Sequence, residues 1–158
     1  MSGAGAARMS TEGAQGMRVD VVASSWHARV MSGLIAGAQT VLRGAGCEIR
    51  LHRVPGAFEL PIGAQACARG DAEAVVALGV VIRGGTPHFD YVCQAATTGL
   101  TRVTLDSGIP VGFGLLTCDD EQQALDRAGL EGSHEDKGAE AAEAAIATAL
   151  LLRQLRTP

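Results

Sequence analysis

Two adjacent glycines, Gly84 and Gly85, stand between an apolar run ending at Ile82 and the triplet Thr86-Pro87-His88. Thr-Pro is a helix-start signature, with Thr86 expected as N-cap and Pro87 at the first helical position. Backbone N–H groups left free at a helix start point outward, and the helix dipole adds partial positive charge. The missing side chains at Gly84 and Gly85 let a phosphate approach the backbone, which makes this turn an anion cradle. His88 follows two residues past the cap, and imidazole is the side chain best suited to moving protons near neutral pH. A phosphate cradle with a proton carrier beside it points to chemistry on a phosphorylated small molecule.

Other residue types that could do chemistry cluster at three further places. Trp26 is the single tryptophan, in Ser24-Ser25-Trp26-His27 directly after an apolar run. Its indole could stack on a flat heterocycle or cap the edge of the core, and the sequence leaves both open. Val54-Pro55-Gly56-Ala57-Phe58-Glu59 turns tightly at Pro-Gly and exposes the backbone of Ala57 and Phe58. Glu59 could cap a helix start, or hold the hydroxyls of a sugar-like chain. Phe113 lies within an apolar run, where a core role is the default. Arg127 falls late in a short helix, as a cation does in any protein, whereas Lys137 opens the last helix, where a cation is mildly disfavoured and an anionic partner therefore more plausible. Arg83 is the nearest cation to the cradle, but strand alternation turns it aside.

The elements that must position these groups alternate regularly. Strands are expected at Arg18–Ser24, Glu48–Val54, Ala74–Ile82 and Pro110–Leu116. Helices are expected at about His27–Arg43, Phe58–Arg69, Pro87–Asp106, Asp119–Ala128 and Lys137–Leu155, with a polar link at Gly129–Asp136. Alternation of this kind gives an α/β fold, a flavodoxin-like doubly wound sheet of four parallel strands with helices on both faces. Ligands in such sheets bind outside the carboxyl ends of the strands. Every group singled out above falls at one of those ends.

Composition narrows the function classes. The 158 residues, 47% hydrophobic and only 3% aromatic, suit one domain with an aliphatic core. The domain is expected at 17–158, preceded by a flexible extension at 1–16. A net charge of −4 argues against nucleic acid as a partner. No apolar run reaches membrane-spanning length. Four cysteines without a C-x-x-C pair read as reduced thiols in a cytoplasmic protein. Scattered histidines give no metal site, and no G-x-G-x-x-G, Walker or G-x-S-x-G motif occurs.

Val54 to Pro61, Ala77 to Val92 (ALGVVIRGGTPHFDYV) and Glu121 to Gly129 (EQQALDRAG) together resemble the lumazine synthase family of riboflavin biosynthesis. The resemblance runs in order and spacing from about Met17 to Arg156. It implies a transferase that condenses 5-amino-6-(D-ribitylamino)pyrimidine-2,4-dione with 3,4-dihydroxy-2-butanone 4-phosphate, releasing inorganic phosphate and water, without metal or organic cofactor. By the same resemblance Trp26 stacks on the pyrimidinedione, and Ala57, Phe58 and Glu59 line the ribityl site. Val80, Val81 and Ile82 contact the ring, and Gly85, Thr86 and Arg127 clamp phosphate with help from Lys137. His88 transfers protons, and Phe113 reaches in from a neighbouring subunit of a homo-oligomer. Thr117-Cys118 departs from the Thr-Thr of many relatives. The link 129–136 lacks the Gly/Lys/Asn-rich kink of several shell-forming members, so a pentamer is expected over an icosahedral shell. The competing expectation is a non-catalytic flavin- or lumazine-binding or scaffold paralogue.

Overall fold

In the computed structural model residues 9–156 are described, and residues 1–8 of the expected N-terminal extension lie outside that range. Strands β1 (Arg18–Ser24), β2 (Glu48–Val54), β3 (Ala74–Ile82) and β4 (Val111–Cys118) form one sheet of order β2-β1-β3-β4. All three pairings are parallel. The helices are α1 (Ala28–Gly44), α2 (Leu60–Arg69), α3 (His88–Ser107), α4 (Glu121–Leu125) and α5 (Lys137–Arg156), with a 3-10 turn at Ala57–Glu59.

Central strands of a parallel sheet are covered on both faces, so they are apolar throughout rather than alternating. Val19, Val21 and Ala23 of β1 and Ala74, Val76, Leu78 and Val80 of β3 face α1 and α5. Their neighbours Val22, Val75 and Ala77 face α2 and α3 in a second core. Asp20 is the exception inside this run. It is 3% exposed, and its carboxylate accepts a fork from Arg50 at 2.6 and 3.0 Å.

The long helix α5 sits close because small residues let it. Ala141, Ala142, Ala145 and Ala149 are buried along it. A Cβ on Gly112 would collide with the Ala141 carbonyl, and one on Gly138 with the Leu34 carbonyl of α1. Before β1, Ala14 is fully buried and Gly16 donates its N–H to Gly46 O at 2.9 Å, which ties residues 14–16 to the turn after α1.

Boundaries differ from the sequence expectation at particular places. Pro87 is the N-cap of α3 and Thr86 lies in the preceding bend; no side chain caps the helix. The helix expected over Asp119–Ala128 is helical only at Glu121–Leu125. Its continuation is taken by a loop: His134 and Glu135 both donate N–H to Asp126 O at 2.9 Å, and Ala128 bridges antiparallel to Asp136. These bonds turn the chain back and place Arg127 beside the start of α5.

Candidate active site

A cavity of about 330 Å³ opens at the carboxyl ends of the strands. The loop after β1 supplies Trp26 and His27, and the turn after β2 supplies Gly56 to Glu59. The end of β3 supplies Val80, Val81 and Ile82, and α3 supplies His88 and Val92. Eight of the expected site residues thus share one wall-to-wall space: Trp26, Ala57, Phe58, Glu59, Val80, Val81, Ile82 and His88.

The first two loops are stitched to each other. Ser25 Oγ donates to Val54 O at 2.8 Å, Ser25 N–H to Pro55 O at 3.3 Å, and Arg53 Nη2 to Ser24 O at 2.8 Å. This stitching holds Trp26 next to the Pro-Gly turn. A Cβ on Gly56 would crowd Glu59 Oε2 at 3.2 Å and lie in ordinary contact with the indole at 3.8 Å, so glycine leaves room for the carboxylate. Trp26 is 68% exposed, which answers the open question about it: the indole does not cap the core but lines the cavity. Glu59 accepts the Gly56 N–H at 2.8 Å through Oε2. The capping role is therefore present, and the residue lines the cavity as well.

His27 is a site residue that sequence reasoning did not single out. Its φ of 56° and ψ of 61° place a non-glycine residue in the left-handed region, at the start of α1. Strain of this kind persists where the surroundings over-determine the backbone. Its only sequence signal was adjacency to Trp26. Val92 was also missed, although it sits four residues past His88 and so on the same helical face.

Gly84 and Gly85 stand open: a Cβ at either meets nothing within 4 Å. Thr86 and His88 are exposed beside them. Arg83 is turned aside as expected, its guanidinium bonded to Asp119 and Asp90. Gly85, Thr86, Arg127, Lys137 and Phe113 do not line the Trp26 cavity. Arg127 donates from Nη1 to Gln123 O at 2.8 Å and lies near the end of β4. There burial pushes the Cys118 thiol up, and the Arg127 charge opposes the rise. Lys137 Nζ lies 2.7 Å from both Glu135 and Glu140. Burial works against the Lys137 charge, but its two carboxylate partners outweigh that and raise it. Phe113 is no core residue. It is 49% exposed and lines a separate groove between β4 and α3, with Thr97 and Thr101.

Among the described residues, one mixed group could approach a metal ion: Asp20, His52 and Cys67, whose ligand atoms lie within 4.8 Å of one another. The Arg50 fork already occupies both Asp20 oxygens, and burial pushes the Cys67 thiol up to about 11. A guanidinium stands where the charge of a cation would have to go.

Sheet order, glycine turn and strand-end cavity together define a doubly wound flavodoxin-like α/β protein with a small-molecule site. The sequence model of 6,7-dimethyl-8-ribityllumazine synthase matches residues 16–153. Proteins of that name are similar to it over nearly their full length. The one from Nocardioides sp. is 63% identical, over 99% of this chain and 98% of the relative. Those of Leifsonia xyli and Streptomyces avermitilis are 61% and 58% identical, each covering at least 99% of both chains. This chain belongs to the 6,7-dimethyl-8-ribityllumazine synthase family.

Proposed function

We infer that this chain is the transferase that condenses 5-amino-6-(D-ribitylamino)pyrimidine-2,4-dione with 3,4-dihydroxy-2-butanone 4-phosphate in riboflavin biosynthesis. The products are 6,7-dimethyl-8-ribityllumazine, inorganic phosphate and water. The observation that carries this reading is the single cavity joining Trp26, Glu59, the end of β3 and His88. It offers a flat aromatic face, a carboxylate for hydroxyls and a proton carrier in one space.

In this reading the pyrimidinedione stacks on Trp26 and lies along Val80, Val81 and Ile82. The ribityl chain runs over Ala57 and Phe58 to Glu59. The phosphate of the second substrate sits on the open turn at Gly85 and Thr86, with Arg127 as its cation. Lys137 is a secondary charge, because two carboxylates already hold it. The substrate amine attacks the ketone and water leaves, giving an imine. A proton is lost from the adjacent carbon, and the C–O bond to phosphate breaks. The enol left behind takes up a proton on its terminal carbon and becomes a ketone, and the ribitylamino nitrogen closes the ring on that new carbonyl with loss of a second water. His88 carries the protons of these steps.

Holding amine and ketone together supplies most of the acceleration, about 7 kcal/mol or more in well-oriented cases. A general acid–base adds about 10²–10⁴-fold. The reading needs no metal or organic cofactor, since each step is addition, elimination or proton transfer between the two substrates.

The reading extends to a cytoplasmic homopentamer. Four free thiols fit a reducing compartment. Among the described residues no helix is long and apolar enough to cross a membrane. Ile62, Tyr91 and Leu105 are each more than 60% exposed in the isolated protomer, the kind of apolar surface a neighbour covers. In this reading Phe113, half-exposed and outside the Trp26 cavity, enters the site of an adjacent subunit.

Mixing the purified protein with both substrates while following lumazine fluorescence tests the reading. Turnover should be seen, with His88→Ala lowering kcat by about 10²-fold or more. Arg127→Ala should raise KM for the phosphate ester about tenfold. Wild-type kinetics in both variants would overturn the assigned roles.

A further inference from the structure

The glycine turn has no packing of its own. A side chain at Gly84 or Gly85 would meet open space, so the position of the turn has to be imposed from its two ends. One arginine is bonded at both. Arg83 immediately precedes the turn, and its N–H extends the β3–β4 pairing by one bond, to Cys118 O at 2.9 Å. Its side chain lies over the Phe89 ring at 4.1 Å and reaches Asp90 Oδ1 at 3.3 Å. Phe89 and Asp90 belong to the first turn of α3, just beyond the glycine turn. The Arg83 side chain therefore closes the loop like a clasp.

The same guanidinium has a third partner. Arg83 Nε donates to Asp119 Oδ1 at 2.9 Å. Asp119 N–H donates to Gln123 Oε1 at 2.9 Å, and Gln123 N–H to Asp120 Oδ1 at 2.8 Å. Gln123 O in turn accepts from Arg127 Nη1 at 2.8 Å. A continuous path of hydrogen bonds runs from the residue before the glycine turn to the cation that follows α4. Because α4 is only five residues long and buries only Ala124 fully, these bonds add to that packing in holding its orientation.

We propose that Arg83, Asp119 and Gln123 are positioning residues for the condensation: they fix the distance between the phosphate-gripping turn and Arg127. This rests on the reading of Gly85, Thr86 and Arg127 as the phosphate site. None of the three touches the reacting atoms. Exposed ion pairs contribute little to folding, so the brace acts on loop placement and leaves global stability nearly untouched. Lysine at position 83 would keep the charge, but its single ammonium lacks the planar fork that serves Asp119 and Asp90 at once.

Four variants test it: Arg83→Met, Arg83→Lys, Asp119→Ala and Gln123→Met, with Arg102→Ala as a remote control whose kinetics stay unchanged. Expected in Arg83→Met, Asp119→Ala and Gln123→Met is a rise of about five- to tenfold in KM for the phosphate ester and in the inhibition constant of inorganic phosphate. Lysine at position 83 should recover only part of that loss. KM for the pyrimidinedione and the melting temperature should stay at wild-type values. Combining Arg83→Met with Asp119→Ala should weaken phosphate no further than either alone, because both cut the same path. Phosphate inhibition unchanged in Arg83→Met and Gln123→Met, but weakened by Arg127→Ala, would overturn the brace and leave the phosphate site standing. Phosphate inhibition unaffected by Arg127→Ala would remove the site itself. Equal loss of affinity for both substrates, or a lowered melting temperature, would mark these residues as structural only.

Discussion

Trp26 is the residue whose role the structure sharpens most. Position at a strand end made it a candidate, but only its exposure and the stitching of Ser25 to Val54 and Pro55 separate a stacking surface from a core cap. Trp26→Ala should raise KM for the pyrimidinedione about tenfold, from the loss of base-like stacking, while KM for the phosphate ester moves little. Steady-state kinetics varying each substrate in turn would check this. Phe113 shows the opposite lesson. An apolar run implied burial, yet β4 is an edge strand whose pleat turns Phe113 outward between Gly112 and Gly114. Neither the left-handed backbone at His27 nor the three-way pairing of Arg83 could be read from the chain. Both depend on contacts made only after distant segments meet.

Among the elements, β1 and β3 run as the apolar patterning indicates, because burial on both faces leaves no other arrangement for such runs, whereas β2 is a largely exposed edge strand of mixed polarity. Helix ends were less legible. The residues after Leu125 look helical in composition, but the bonds from His134 and Glu135 to Asp126 O pull them into a loop. Close helix contacts were invisible for a related reason: Gly138 matters because the Leu34 carbonyl lies where its side chain would be. Gly138→Ala should cost about 2 kcal/mol by overpacking, measurable as a lower urea midpoint with an unchanged slope. Glu73, just before β3, ties three elements together. It accepts the Arg18 N–H at 3.0 Å and Arg153 Nη2 at 2.6 Å. The Arg18 N–H and then the Arg153 side chain hold its carboxyl below the ordinary glutamate range. A depressed folded value means the stabilisation is complete above the unfolded value, about 4.3, and is lost as pH falls through the folded one. The melting temperature should therefore drop below that pH, and Glu73→Gln should drop less steeply. Parallel curves would contradict the linkage.

On the scale of the whole molecule, Ile62, Tyr91, Leu105 and Phe113 leave apolar surface open on the protomer, which the proposed pentamer would cover. The proposed pentamer should sediment at five protomer masses, and a shell would weigh twelve times that. Analytical ultracentrifugation decides between them, and a monomer that turns over substrate would contradict a site shared between subunits. The proposed chemistry rests on the open glycine turn receiving the departing phosphate, with His88 next to it. A crystal structure with inorganic phosphate soaked in probes this without intermediaries. The anion should lie on the backbone of Gly85 and Thr86, within reach of the Arg127 guanidinium, with the His88 imidazole facing the cavity. Phosphate bound elsewhere, or that turn empty at saturating concentration, would contradict the account.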